Sequence, residues 1–192
     1  MMDGISRIGE RLVGCCNRCE GVAVDLSQGV LPRCLFFEAD GREKGAGCAI
    51  VGLNPGVAVA SSGGSISRTA RPMPKPWLAG TSTSTTIGTA RLRHLANEMG
   101  FRGPILWCEL VKCESGADVR YSPLQTFRTC ADLYLTEELR LVPPERPIIT
   151  ANREAYRALA YLYPKRIVIG VPHPTGSFGQ FGSCSAMASR AS

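Results

Sequence analysis

Apolar positions along the chain follow two rhythms. Dense short runs, CLFFEA (34–39), GCAIVGL (47–53), PILWCELV (104–111), PIITA (147–151) and RIVIGV (166–171), read as strands. Between them the apolar residues recur at helical spacing. Residues 5–16 suit a first helix, and Leu92, Leu95, Ala96 and Met99 predict a second over 87–99, with Gly100 as its stop. Ala131, Leu135 and Leu139 place a third over roughly 126–141, and Ala155, Leu159 and Leu162 mark a fourth that opens after Asn152, a fair N-cap. Strands that are apolar almost throughout and alternate with helices predict a mainly parallel sheet covered on both faces. In such sheets ligands sit beyond the carboxyl ends of the strands. The segments GLNPG, CELVKC and PHPTG each lie at the end of a predicted strand, so they are expected to meet on one edge.

Residues 57–86 break the pattern, being rich in Gly, Ser, Thr and Pro with Arg68, Arg71 and Lys75, and read as a long loop or lid. No repeat or internal boundary appears, so a single domain over 1–192 is expected, with 183–192 as a polar tail. With 44% hydrophobic residues the chain should fold. No run of 18 apolar residues occurs, which excludes a membrane-spanning helix. The start MMDGISRIGERLVGCC has no apolar core of a signal peptide, so a cytoplasmic, reducing setting is expected. The net charge of +6 fits a polyanionic partner such as nucleic acid, and it equally fits a mildly basic protein without one.

Nine cysteines is an odd number, which fits a full set of disulfides poorly and favours metal ligation in a chain without an export signal. Cys16 and Cys19 form a CxxC, a chelating bite in which both thiolates reach one centre. Cys113 and Cys130, with sixteen residues between them, complete a four-thiolate set. Such a set holds zinc or a [4Fe–4S] cluster, and spacing leaves both open, as it leaves open that these are separate buried thiols. Cys15 with Cys19 would make a looser CxxxC. Cys34, Cys48 and Cys108 lie in predicted strands and read as packing residues, and Cys184 falls in the tail.

Together these segments resemble the uracil-DNA glycosylase superfamily. Gly52-Leu53-Asn54-Pro55-Gly56 is similar to its first motif, of GxxPG type, and His173-Pro174-Thr175-Gly176 to its second, of HPS type. The cysteines resemble its iron–sulfur branch, the fourth and fifth families, with a CxxC near the N-terminus, a Cys in Val111-Lys112-Cys113 and another some sixteen residues on. The resemblance runs in order from Cys16 to Gly176. It implies a three-layer α/β/α sandwich with a central four-stranded, mainly parallel sheet. It also implies DNA, damaged or single-stranded, as partner and hydrolysis of the N-glycosidic bond of a damaged, uracil-like or otherwise deaminated base flipped out of the stack. The cluster, held by Cys16, Cys19, Cys113 and Cys130, would be structural.

The same resemblance assigns roles. Asn54 would orient a water, although an amide is a poor general base; its other reading is the turn before Pro55. His173 would donate to the base oxygen as negative charge develops there. Thr175 keeps the hydroxyl of the usual Ser and would meet a phosphate. Trp77, the sole aromatic between Gly56 and Gly100, would stack on the base or anchor the loop.

Two positions depart from the family pattern. Leu53 stands where the iron–sulfur branch tends to hold Glu. Glu109 stands where it holds an Asn that both accepts from and donates to uracil, whereas a carboxylate only accepts. Glu109 therefore suits a base face that offers donors, unless it pairs with Lys112 or an arginine of the loop and meets no base. No Lys is placed in a motif to form a Schiff base, so a monofunctional, monomeric glycosylase of base-excision repair is the expectation. A DNA-binding protein of the same fold with weak or no catalysis is the alternative.

Overall fold

A computed structural model of the chain describes residues 2–13, 15, 19–23, 36–38, 45–53, 87–115, 123–175 and 183. The loop 57–86 with Trp77, the residues Cys16, Asn54, Pro55, Gly56 and Gly176, and the tail beyond 183 lie outside the described residues, as do Cys34 and Cys184.

Four strands run parallel: β3 (Cys48–Gly52), β4 (Ile105–Glu109), β6 (Ile148–Thr150) and β7 (Val168–Gly170), in the spatial order β4-β3-β6-β7. The run 34–39 contributes β2 (Phe36–Glu38), which pairs antiparallel with β4 at the sheet's edge. The chain is thus an α/β fold whose parallel strands number four, as expected, with one antiparallel strand added.

The burial of successive residues explains why these strands read as continuous apolar runs. In β3, Ala49 and Val51 face one helical layer, while Cys48 and Ile50 face the other. Ile148 and Ile149 of β6 divide the same way. The first layer holds α1 (Met2–Val13), the long element 124–139 and α5 (Arg153–Leu162); the second holds α2 (Ile87–Glu98), which buries Leu92, Leu95 and Ala96. A parallel sheet must be covered on both faces, and here it is.

The third predicted helix is three pieces: α3 (Leu124–Cys130), a π-helical segment (Ala131–Leu135) and α4 (Thr136–Leu139). Widened turns of this kind gather at functional sites, and this one begins directly after Cys130. Asn152 caps α5 as its side chain predicts, accepting from the amides of Glu154 (2.8 Å) and Ala155 (3.2 Å). A second, two-stranded sheet joins β1 (Val22–Ala23) antiparallel to β5 (Glu114–Ser115). Two-residue strands are too short to leave a periodicity, so hydropathy does not foresee them.

Candidate functional site: a strand-end edge beside a cysteine centre

The order β4-β3-β6-β7 puts a topological switch between β3 and β6, because the chain leaves β3 towards β4 and leaves β6 towards β7. Crevices form beyond the carboxyl ends of strands at such points. Gly52 ends β3, Glu109 ends β4 and the two are register partners. The Glu109 side chain folds back over the end of β3: a β-carbon on Gly52 would stand 2.0 Å from Glu109 Oε2 and 2.7 Å from its Cδ. Only a glycine leaves room for that carboxylate. Leu53 is half-buried and packed against the core, so its side chain brings no polar group to the edge.

At the far end, β7 runs through Val171, whose amide donates to Thr150 O at 2.8 Å, into Pro172-His173-Pro174-Thr175. His173 is exposed. Its Nδ1 accepts from the Thr175 backbone N–H at 3.3 Å and lies 3.0 Å from Thr175 Oγ1. A backbone amide can only donate, so Nδ1 carries no proton here and the neutral ring carries it on Nε2. His173 therefore presents Nε2–H as a donor. Beside it a groove of about 670 Å³ runs between Ala151–Arg153, Tyr156 and β7. Three strand spacings of about 4.8 Å separate β4 from β7, so the edge spans about 14 Å between the ends that carry Glu109 and His173. His94, the other histidine, is exposed on α2.

The cysteines gather around Cys113, which follows the end of β4 by four residues. Helix α1 ends at Val13, and the Cys15 amide donates to Leu12 O at 3.0 Å. Pairing of β1 with β5 draws the segment after Cys19 against the segment after Cys113. Thr126 Oγ1 donates to Glu20 O at 2.8 Å, which ties the same segment to the helix that carries Cys130. Cys15, Cys19, Cys113 and Cys130 consequently lie within electrostatic reach of one another. Burial pushes the Cys113 thiol up to about 12, with Cys130, Cys15 and Cys19 adding to the rise. Burial likewise raises Cys130, against a hydrogen bond from the Lys112 amide, and raises Cys19, to which Cys130 is hydrogen-bonded.

Among the described residues no three His, Cys, Asp or Glu side chains stand at metal-ligating spacing, and Cys16 is outside them. The donor set nevertheless fits a thiophilic centre. Neighbouring thiolates repel when ionised, and a bound cation converts that repulsion into ligation. The Lys112 amide on the Cys130 sulfur is the kind of outer contact that stabilises a ligating thiolate. The CxxC spacing favours Cys16, which lies outside the described residues; the fold brings Cys15 near the other thiols.

The pairing of Lys112 with Glu138 escapes sequence reasoning, which offered Lys112 to Glu109 instead. The side chains of Lys112 and Glu138 are 1% and 0% exposed and form an ion pair. Lys112 Nζ also donates to the main-chain oxygen of Glu109 at 2.6 Å. Lys112 thus serves Glu109's backbone, and its ammonium is directed to Glu138. Burial, the largest single effect, would lower the lysine's pKa, but Glu138 together with Cys108 and Glu109 raises it. The available signal was Glu138 itself, which falls on the buried stripe Tyr134, Leu135, Leu139, Val142, where a carboxylate needs a buried partner. Cys48 and Cys108 are buried strand residues, as expected.

Comparison with protein-family models and with curated proteins finds no match. Among the described residues, no helix is long and apolar enough to cross a membrane.

Proposed function

We propose that the chain is a monofunctional DNA glycosylase of base-excision repair, a hydrolase resembling the iron–sulfur branch of the uracil-DNA glycosylase superfamily, and that it acts in the cytoplasm as a monomer. The observation that carries the reading is exposed His173, whose Nδ1 is occupied by Thr175 so that Nε2–H is left as the donor.

Rupture of an N-glycosidic bond leaves positive charge on the sugar and negative charge on the departing base. A neutral imidazole donating from Nε2 to the base oxygen stabilises that charge as it forms. Water then adds to C1′ as the C1′–N bond breaks, its proton passing through solvent to the departed base anion, and Asn54 is the residue that would orient it. Glu109, beside Gly52, accepts hydrogen bonds and so selects a base edge bearing an amino or ring N–H donor. Thr175 and Gly176 would meet the phosphate backbone, Pro55, Gly56 and Pro174 would shape the pocket wall, and Trp77 would stack on the base. A [4Fe–4S] cluster, or zinc, would be held by Cys19, Cys113 and Cys130 with Cys16 or Cys15, and would supply structural cross-linking of the N-terminal segment to α3.

The test is incubation with single- and double-stranded oligonucleotides carrying uracil, hypoxanthine, xanthine or an undamaged base, read as strand scission after alkali. Cleavage of at least one lesion, lowered roughly 10²-fold or more in His173→Ala, is expected. No cleavage of any, with DNA bound at low salt, would leave the second reading, a DNA-binding protein of this fold. That reading draws on Leu53, which packs on the core instead of offering the edge a polar group.

A further inference from the structure

The turn that carries His173 has few main-chain donors of its own. Pro172 and Pro174 have no N–H, so the turn offers little to a main-chain ladder beyond Val171. Among the described residues, a side chain of α2, which shares a core cluster with Val171, reaches it. Helix α2 follows β3 and precedes the parallel strand β4, so its first turns lie near the carboxyl edge. Arg91, in the second turn of α2 beside buried Leu92, extends its guanidinium to that edge, where NH1 donates to the carbonyl oxygen of buried Pro174. The next residue is Thr175, whose amide and hydroxyl engage His173 Nδ1.

We propose that Arg91 is the positioning residue of the candidate site: by clamping the Pro174 carbonyl it fixes the turn in which Thr175 selects the Nε2–H form of His173. Arg91 touches neither base nor sugar in this scheme and acts through His173. Its importance for catalysis rests on the glycosylase reading, while its effect on the imidazole does not.

The chain has two histidines, so their ring nitrogens are resolved by long-range ¹H–¹⁵N correlation, with His94→Gln assigning the pair. At about pH 8.5, where an ordinary imidazole is neutral, wild-type His173 is expected to show an unprotonated Nδ1 and a protonated Nε2. Arg91→Ala, an exposed change that spares the core, is expected to move both nitrogens towards tautomer-averaged values, and Arg91→Lys to recover part of the difference. Misplacement of a catalytic donor of this size costs roughly 10- to 100-fold, so kcat for base release is expected to fall by that factor in Arg91→Ala with KM within about twofold. A wild-type imidazole pattern retained in Arg91→Ala overturns the proposal, as does an unchanged kcat in a wild type that cleaves. A wild type that releases no base while its imidazole responds to Arg91 refutes the glycosylase reading and leaves the clamp standing.

Discussion

Lys112→Met leaves the Glu138 carboxylate fully enclosed with its cation gone. With the pair 1% and 0% exposed, solvent screening offers no relief. Removing one partner of a buried pair costs about 3–5 kcal/mol, because the survivor's desolvation is no longer offset. The hydrogen bond from Lys112 to Glu109 O is lost as well, which adds about 1 kcal/mol. Against a typical stability of about 5–15 kcal/mol that is a large fraction, and for a domain of this size each kcal/mol lowers Tm by about 2–4 °C. A fall of roughly 8–24 °C follows. The double variant Lys112→Met with Glu138→Leu removes both charges and should recover most of it, since apolar replacement of a whole buried pair is close to neutral. Urea unfolding followed by circular dichroism, with equal metal content in every sample, measures the difference. If the single variant cost less than about 1 kcal/mol, or the double variant cost as much as the single, the pair would not be the buried strut described.

Gly52→Ala puts a methyl against the mobile end of Glu109, so the carboxylate should swing away. Stability should fall by less than about 1 kcal/mol while base preference changes as in Glu109→Ala; an unchanged preference would separate Glu109 from base reading. Gly47→Ala, by contrast, drives its β-carbon to 2.1 Å from the backbone oxygen of Pro104, which cannot retreat, and should cost about 1–3 kcal/mol or more in thermal unfolding. Cys113→Ser should lose iron or zinc measured by elemental analysis together with much of the fold, and Cys15→Ser compared with Cys16→Ser should identify the fourth ligand by which one loses metal. Glu109→Asn, which restores a group that both accepts and donates, should move cleavage towards uracil in a lesion panel, with identical preference before and after refuting the assignment.

The α/β class, the order of elements and the edge on which the motifs end were legible along the chain. Burial on both faces writes unbroken apolar runs into strands such as CAIVG and a three-to-four residue rhythm into helices such as α5, and those signals are local. The cysteine group was legible in part: Cys19, Cys113 and Cys130 meet because β1 pairs with β5 and Thr126 reaches Glu20, and neither contact has a period to betray it. The antiparallel direction of β2 was not legible either, since a short strand looks the same whichever way it is paired.

What the sequence by itself determined, then, is which segments must hide apolar surface and which residue types are present to do chemistry. The tertiary structure alone decided which of those residues meet. It laid Glu109 over Gly52, joined Lys112 to Glu138, brought Cys15 among the other thiols and carried Arg91 across to Pro174. Each of these contacts joins residues far apart in the chain, and hydropathy reports only the face a residue turns to, never the partner it finds there.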